Sequence, residues 1–121
     1  MLEPLFAYLM IAARQYEDGK YAGYYNVGPD DADCFATGNL VDLFVRTWGD
    51  GLHWVNRCDH GPHEANFLKL DCSKLKTTFG WHPTWNLATA IEKVTEWTRV
   101  YAAGEDVRPV MDRQIDAFVN A

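Results

Sequence analysis

The stretch FLKLDCSKLKTTFGWHPTWNLATAIEKVTEWTRVY, residues 67–101, decides the expected fold, because several independent local signals agree in it. Residues 67–70 read as a short strand. Asp71 follows as an N-cap whose carboxylate can accept from the free backbone N–H groups of the next turn. A short helix comes next, with Leu75 and Phe79 on one face at i, i+4. Gly80 suits the left-handed position after its last turn, and Pro83 blocks continuation. Asn86 then caps a longer helix in which Leu87, Ala90, Ile91, Val94, Trp97 and Tyr101 form one apolar stripe, ended by Gly104. Such a helix has to bury that stripe.

Outward from this stretch, residues 4–17 predict a helix with Glu3 near its positive end and Pro4 in its first turn, where a missing N–H costs nothing. Its apolar residues, Leu5, Phe6, Tyr8, Leu9, Met10 and Ile11, nearly encircle it, so it expects cover on more than one side. Residues 24–28 read as a strand. Thr37 is expected to cap a helix running to Trp48, with Leu40, Val41, Phe44, Val45 and Trp48 on its apolar side and Gly49 ending it. Residues 52–55 read as a short strand, and 58–63 as a polar loop delivering His63 and Glu64 just before residues 67–70. Val107, Val110, Met111, Ile115 and Phe118 predict a last amphipathic helix. The expected class is α/β, or α+β for an isolated piece: mostly helical, with a few short strands.

The 121 residues, 48% hydrophobic and 14% aromatic, suffice for a packed core. A formal net charge of -6 argues against a domain that coats nucleic-acid phosphates. Cys34, Cys58 and Cys72 are odd in number and widely spaced, which points away from a disulfide framework and towards a reducing cytoplasm. The apolar run at residues 5–13 lacks a positive leader, and its nine residues fall short of the roughly 20 that span a bilayer, so neither secretion nor a membrane partner is expected.

The run DCSKLKTTFGWHPTWNLATAIEKVTEW, residues 71–97, resembles the C-terminal signature of extended short-chain dehydrogenases/reductases acting on nucleotide sugars, with Phe79 in place of the usual Leu. YYNVGPDD at 24–31, HEANFLKLD at 63–71 and GEDVR at 104–108 narrow the likeness to the CDP-glucose 4,6-dehydratases. The resemblance implies that residues 1–28 are the last helix and strand of a truncated nucleotide-binding sheet, and that 29–121 form a nucleotide-sugar substrate-binding domain. Residues 1–4, MLEP, resemble the family's Val-Leu-Glu-Pro entered midway, so the chain is expected to be a C-terminal fragment. It further implies a nucleotide sugar as partner, CDP-glucose first, and a homo-oligomer. Full-length members use NAD to oxidise C4 of the sugar, lose water across C5 and C6 and return hydride to C6. In this chain none of the nine glycines forms the GxGxxG turn that seats a pyrophosphate, so no cofactor is expected here. A stand-alone binding or interaction module derived from that family is the alternative reading.

Tyr16 and Lys20 match the Tyr-x-x-x-Lys spacing of the family's catalytic pair, but Asp18-Gly19 breaks the helix that such a pair requires, so no catalytic residue is assigned. Cys58, His60 and His63 lack a paired knuckle or a helical His pair, and no metal site is assigned. The resemblance places His63 and Glu64 against the ribose and diphosphate, Glu64 accepting from ribose hydroxyls and His63 donating towards phosphate. A purely local pairing of Glu64 is the competing reading. Lys69 and Lys74 can serve a phosphate, though solvated lysines are commoner. Trp81 and Trp85 read as core.

Overall fold

A computed structural model describes residues 1–57 and 69–121 of the chain. Among the described residues there are five helices: α1 (Leu2–Glu17), α2 (Thr37–Trp48), α3 (Ser73–Phe79), α4 (Leu87–Ala102) and α5 (Arg108–Val119), with short 3-10 turns at Gly19–Tyr21 and Asp31–Asp33. Among the described residues there is no strand, which corrects the α/β expectation. Residues 24–28 belong to no regular element, and Gly28 lies beside Leu70 and Cys72: a Cβ placed on it would stand 3.4 Å from Cys72 Sγ and 3.6 Å from Leu70 Cβ. Among the described residues no backbone hydrogen bond joins the two segments. The side chain of Asn26 takes that place, its Nδ2 donating to the Asp71 carbonyl at 3.0 Å. A strand is defined by a ladder, and one side-chain bond does not make one. Residues 52–55 likewise form no strand; Trp54 Nε1 instead donates to Asp42 Oδ1 at 2.8 Å. Of the predicted strand at 67–70, Lys69 and Leu70 are not in a strand, and Phe67 and Leu68 lie outside the described residues.

Helix boundaries follow the local chemistry. The N-cap of α3 is Cys72, one residue after the expected Asp71, whose Oδ1 still accepts from the Ser73 N–H at 2.9 Å; the chain leaves α3 through Gly80 at φ 65°, whose N–H returns to the Lys76 carbonyl. Asn86 Oδ1 accepts from the Thr89 N–H at 2.9 Å. At the other end of α4, the Gly104 N–H reaches the Tyr101 carbonyl and the Glu105 N–H reaches that of Val100. With Gly104 at φ 72° this is the paired closure called a Schellman motif. Gly49, at φ 71°, ends α2. Thr37 proves to be the first residue of α2, preceded by Ala36 without a side-chain cap.

Ala7 of α1, Leu75 of α3 and Trp81 form the buried centre, with Met10, Ile11, Tyr25, Val27 and Phe79 packed around it. A second cluster joins α1 to α5 through Phe118, whose ring meets Phe6 at 5.8 Å and Trp85 at 5.0 Å, both edge to face. The Trp85 backbone N–H donates to Glu3 Oε1 at 2.7 Å, tying the first turn of α1 to the approach to α4. α2 rests on α4, where Arg99 spreads over the Trp48 ring, donates to the Trp48 carbonyl, and reaches Asp50 Oδ2 at 2.9 Å.

Two apolar faces remain open. Along α1, Leu5, Phe6, Tyr8, Leu9 and Tyr16 are exposed, Leu9 to 71%. On α4, Val94 and Tyr101 are exposed although they belong to the predicted stripe, while Thr95, off it, is buried.

Candidate functional site

His63 and Glu64, the substrate-binding candidates, lie outside the described residues, as do Cys58 and His60. The remaining candidates are placed. α1 ends at Glu17, and Lys20 turns back to Asp18, its Nζ 2.8 Å from Oδ2; Tyr16 stands 95% exposed. The Tyr-x-x-x-Lys spacing is therefore interrupted, as Asp18-Gly19 led one to expect. Lys69 pairs with Asp31, and Lys76 with Asp30. Each carboxylate holds its partner lysine above the ordinary value for an ammonium. Lys74 lies over the Tyr25 ring at 4.7 Å. All three cations thus have an internal contact. Trp81 is buried and Trp85 packs on Phe118, in keeping with the core reading. Cys72 is buried and Cys34 half-buried, both as free thiols.

Helices α2 and α4 open a groove of about 540 Å³ that sequence reading did not find. α2 supplies Asn39, Asp42, Leu43 and Arg46 from one face, spaced at i, i+3, i+4 and i+7, so that polar and apolar groups alternate along its wall. Asn86 and the first residues of α4, Leu87 and Ala88, also line it, as do Asp33 and Phe35. Two of these side chains are held by the fold through one atom each. Asp42 Oδ1 receives the Trp54 indole N–H, and Asn86 Oδ1 receives the Thr89 N–H. Arg46 makes no ion pair among the described residues. The signal for this site was weak in sequence because its walls come from segments about 40 positions apart.

A second groove, of about 460 Å³, runs between the first turn of α1, α4 and α5 and is lined by Val94, Trp97, Met111 and Ile115, with Glu3 and Lys93 among them. Among the described residues no group of three or more His, Cys, Asp or Glu side chains is placed to hold a metal. No described helix is long and apolar enough to cross a membrane. Among the described residues, the glycines with positive φ lie at or just beyond the C-terminal ends of α2, α3 and α4.

No protein-family model matches the chain. Over its whole length, however, it is 38% identical to the CDP-glucose 4,6-dehydratase of Salmonella typhimurium strain LT2, covering 34% of that relative's length. The matched part is C-terminal in the relative. The likeness to this family read from the sequence is thereby shown: the chain is similar from end to end to the C-terminal third of that relative, and spans about a third of its length.

Proposed function

We propose that this chain, a counterpart of the C-terminal third of a CDP-glucose 4,6-dehydratase, is a nucleotide-sugar-binding unit that takes CDP-glucose through His63 and Glu64 and has no turnover of its own. The end-to-end match at 38% identity is the observation that carries this reading. In it, Glu64 accepts from ribose hydroxyls and His63 donates to the diphosphate, two contacts that need no cofactor. Turnover requires a hydride acceptor and a base for the sugar hydroxyl. The chain holds no Gly-rich pyrophosphate turn, and its Tyr-x-x-x-Lys spacing is broken at Asp18.

The domain division belongs to the same proposal. Residues 1–28 act as an edge that a nucleotide-binding sheet would cover. The exposed stripe of α1 and the unladdered stretch at 24–28 support this, since both are faces awaiting a neighbour. Without that neighbour, α1 drives self-association, and the chain forms a dimer or larger species in solution.

Titration calorimetry with CDP-glucose tests the binding. We expect near-millimolar affinity, about 4 kcal/mol, for the wild type and a clear loss in Glu64→Ala. Equal affinities would remove Glu64 from the site. Formation of a 4-keto-6-deoxy sugar from CDP-glucose and NAD by the pure chain would overturn the non-catalytic reading.

A further inference from the structure

We propose that two copies of this chain pair about a two-fold axis, each laying the open face of its α1 into the other's groove between α4 and α5. The inference rests on the self-association proposed above and names the surfaces that carry it. Residues 5–13, LFAYLMIAA, hold no charged side chain. At about 3.6 residues per turn, Leu5, Leu9 and Tyr16 fall on one side of α1, away from the buried Ala7, and all three are exposed. Met1 and Leu2 continue that side and also line the groove, so ridge and groove meet at the first turn of α1. On α5, Val110 and Phe118 are buried and Gln114 donates to the Lys93 carbonyl at 2.9 Å, which turns that face towards the rest of the molecule. One position further on, Met111, Ile115 and Val119 recur at i, i+4 and i+8 and stand exposed. Met111 and Ile115 line the groove, and Val119 extends their strip.

An apolar ridge that runs into an apolar groove on the same surface is complementary to a copy of itself. A two-fold operation near their junction brings ridge to groove twice, and the contact closes as a dimer rather than growing into a filament. The area is sufficient. The open apolar side chains of α1 and α5, with Val94 of α4, expose on the order of 800 Å², the share one partner gives to an interface of standard size. Charge favours the same occupant. The ridge is uncharged, and the two charged groups of the groove, Glu3 and Lys93, are of opposite sign. Glu3 already accepts from the Trp85 N–H, and Lys93 lies 5.8 Å from the Trp85 ring. A strongly acidic or basic partner thus meets no matching patch, whereas an uncharged helix does. Two copies, each with a formal charge of -6, repel at long range, so added salt should tighten the pair by screening, the reverse of its effect on a partner drawn in by opposite charge.

Sedimentation velocity of the full chain over a concentration series, alone and as two variants, tests it. Leu9→Lys spoils the ridge and Ile115→Glu the groove, both at exposed positions, and an unchanged helical circular dichroism spectrum verifies that each variant is folded. Each substitution is expected to raise the dimer dissociation constant at least about tenfold. Mixing the two variants is expected to restore association. The mixed pair keeps one intact ridge-in-groove contact and sets lysine against glutamate in the other. A chain that is monomeric at every concentration would overturn both this inference and the self-association proposed above. Dimers that survive Ile115→Glu but not Leu9→Lys would overturn the groove while leaving association through α1 standing. Two weakened variants that gain nothing on mixing would likewise overturn the ridge-in-groove pairing.

Discussion

Replacing Leu75 by alanine should cost far more than replacing Leu9 by alanine, although both leucines sit in helices and the side chains removed are identical. Leu75 is fully buried, against Ala7 and Trp81, with Phe79 and Val27 close by. Leucine-to-alanine changes at such sites remove transfer free energy and leave a cavity, for a loss of about 3 to 4 kcal/mol. A domain of this size holds on the order of 6 to 18 kcal/mol in total, so that loss is a large fraction of its stability. With a denaturant dependence of about 1.5 kcal/mol per molar urea, the unfolding midpoint falls by about 2 M. Leu9, 71% exposed, loses little contact, and its change should stay within about 0.5 kcal/mol, a midpoint shift near 0.3 M. Tryptophan fluorescence reports both, since Trp81 belongs to the same cluster as Leu75. A shift below about 0.5 M for Leu75→Ala would refute the packing argument. A Leu9→Ala cost that matches it at every protein concentration would show that α1 is covered from within the chain. A cost that grows with concentration is the signature of association through α1.

Asn86→Ala should lower stability by about 1 kcal/mol, read as a fall in melting temperature, because the Thr89 N–H loses its acceptor; recovery of most of that loss in Asn86→Ser would tie the effect to the cap. The Glu96 carboxylate is held below its ordinary value of 4.5, first by the hydrogen bond from Gln114 and then by that from Arg113. A lowered folded-state value adds stability above the unfolded-state value, and this is lost as pH falls through the folded one. Glu96→Gln should therefore lower stability modestly at neutral pH, where the carboxylate contributes, leave the strongly acid end little changed, and so flatten the acid limb below about pH 4.5. An acid limb identical to that of wild type would remove Glu96 from the linkage.

What could be read from sequence was what depends on neighbours a few positions away. Gly80 and Gly104 end helices because a left-handed residue is needed at each spot, and Asn86 starts one because its amide reaches the N–H three residues on. Those requirements are written locally. Strands are not local: residues 24–28 and 52–55 carry the right composition, yet each lacks a ladder partner among the described residues, and Asn26 and Trp54 settle their surroundings through side chains instead. The stripe on α4 was found by its period, but which part is covered depends on where α2 and α5 lie. Hence Thr95 is buried and Val94 is open. The groove with Arg46 and Phe35 escaped notice for the same reason, and His63 and Glu64 came from motif likeness, with no geometry behind them among the described residues.

The bond between Glu3 and the Trp85 backbone closes a loop of 82 positions. The centre of the molecule repeats that pattern, since Ala7 rests on Leu75 and Trp81. During synthesis α1 emerges long before anything it leans on, and it must wait through the making of α2 and α3. Closing so long a loop costs entropy before any contact repays it, and topologies built on distant contacts fold slowly. Its apolar stripe is open throughout that wait. The interval in which α1 stands uncovered, and in which the nascent chain is prone to stick to its neighbours, is set by the distance from Glu3 to Trp85.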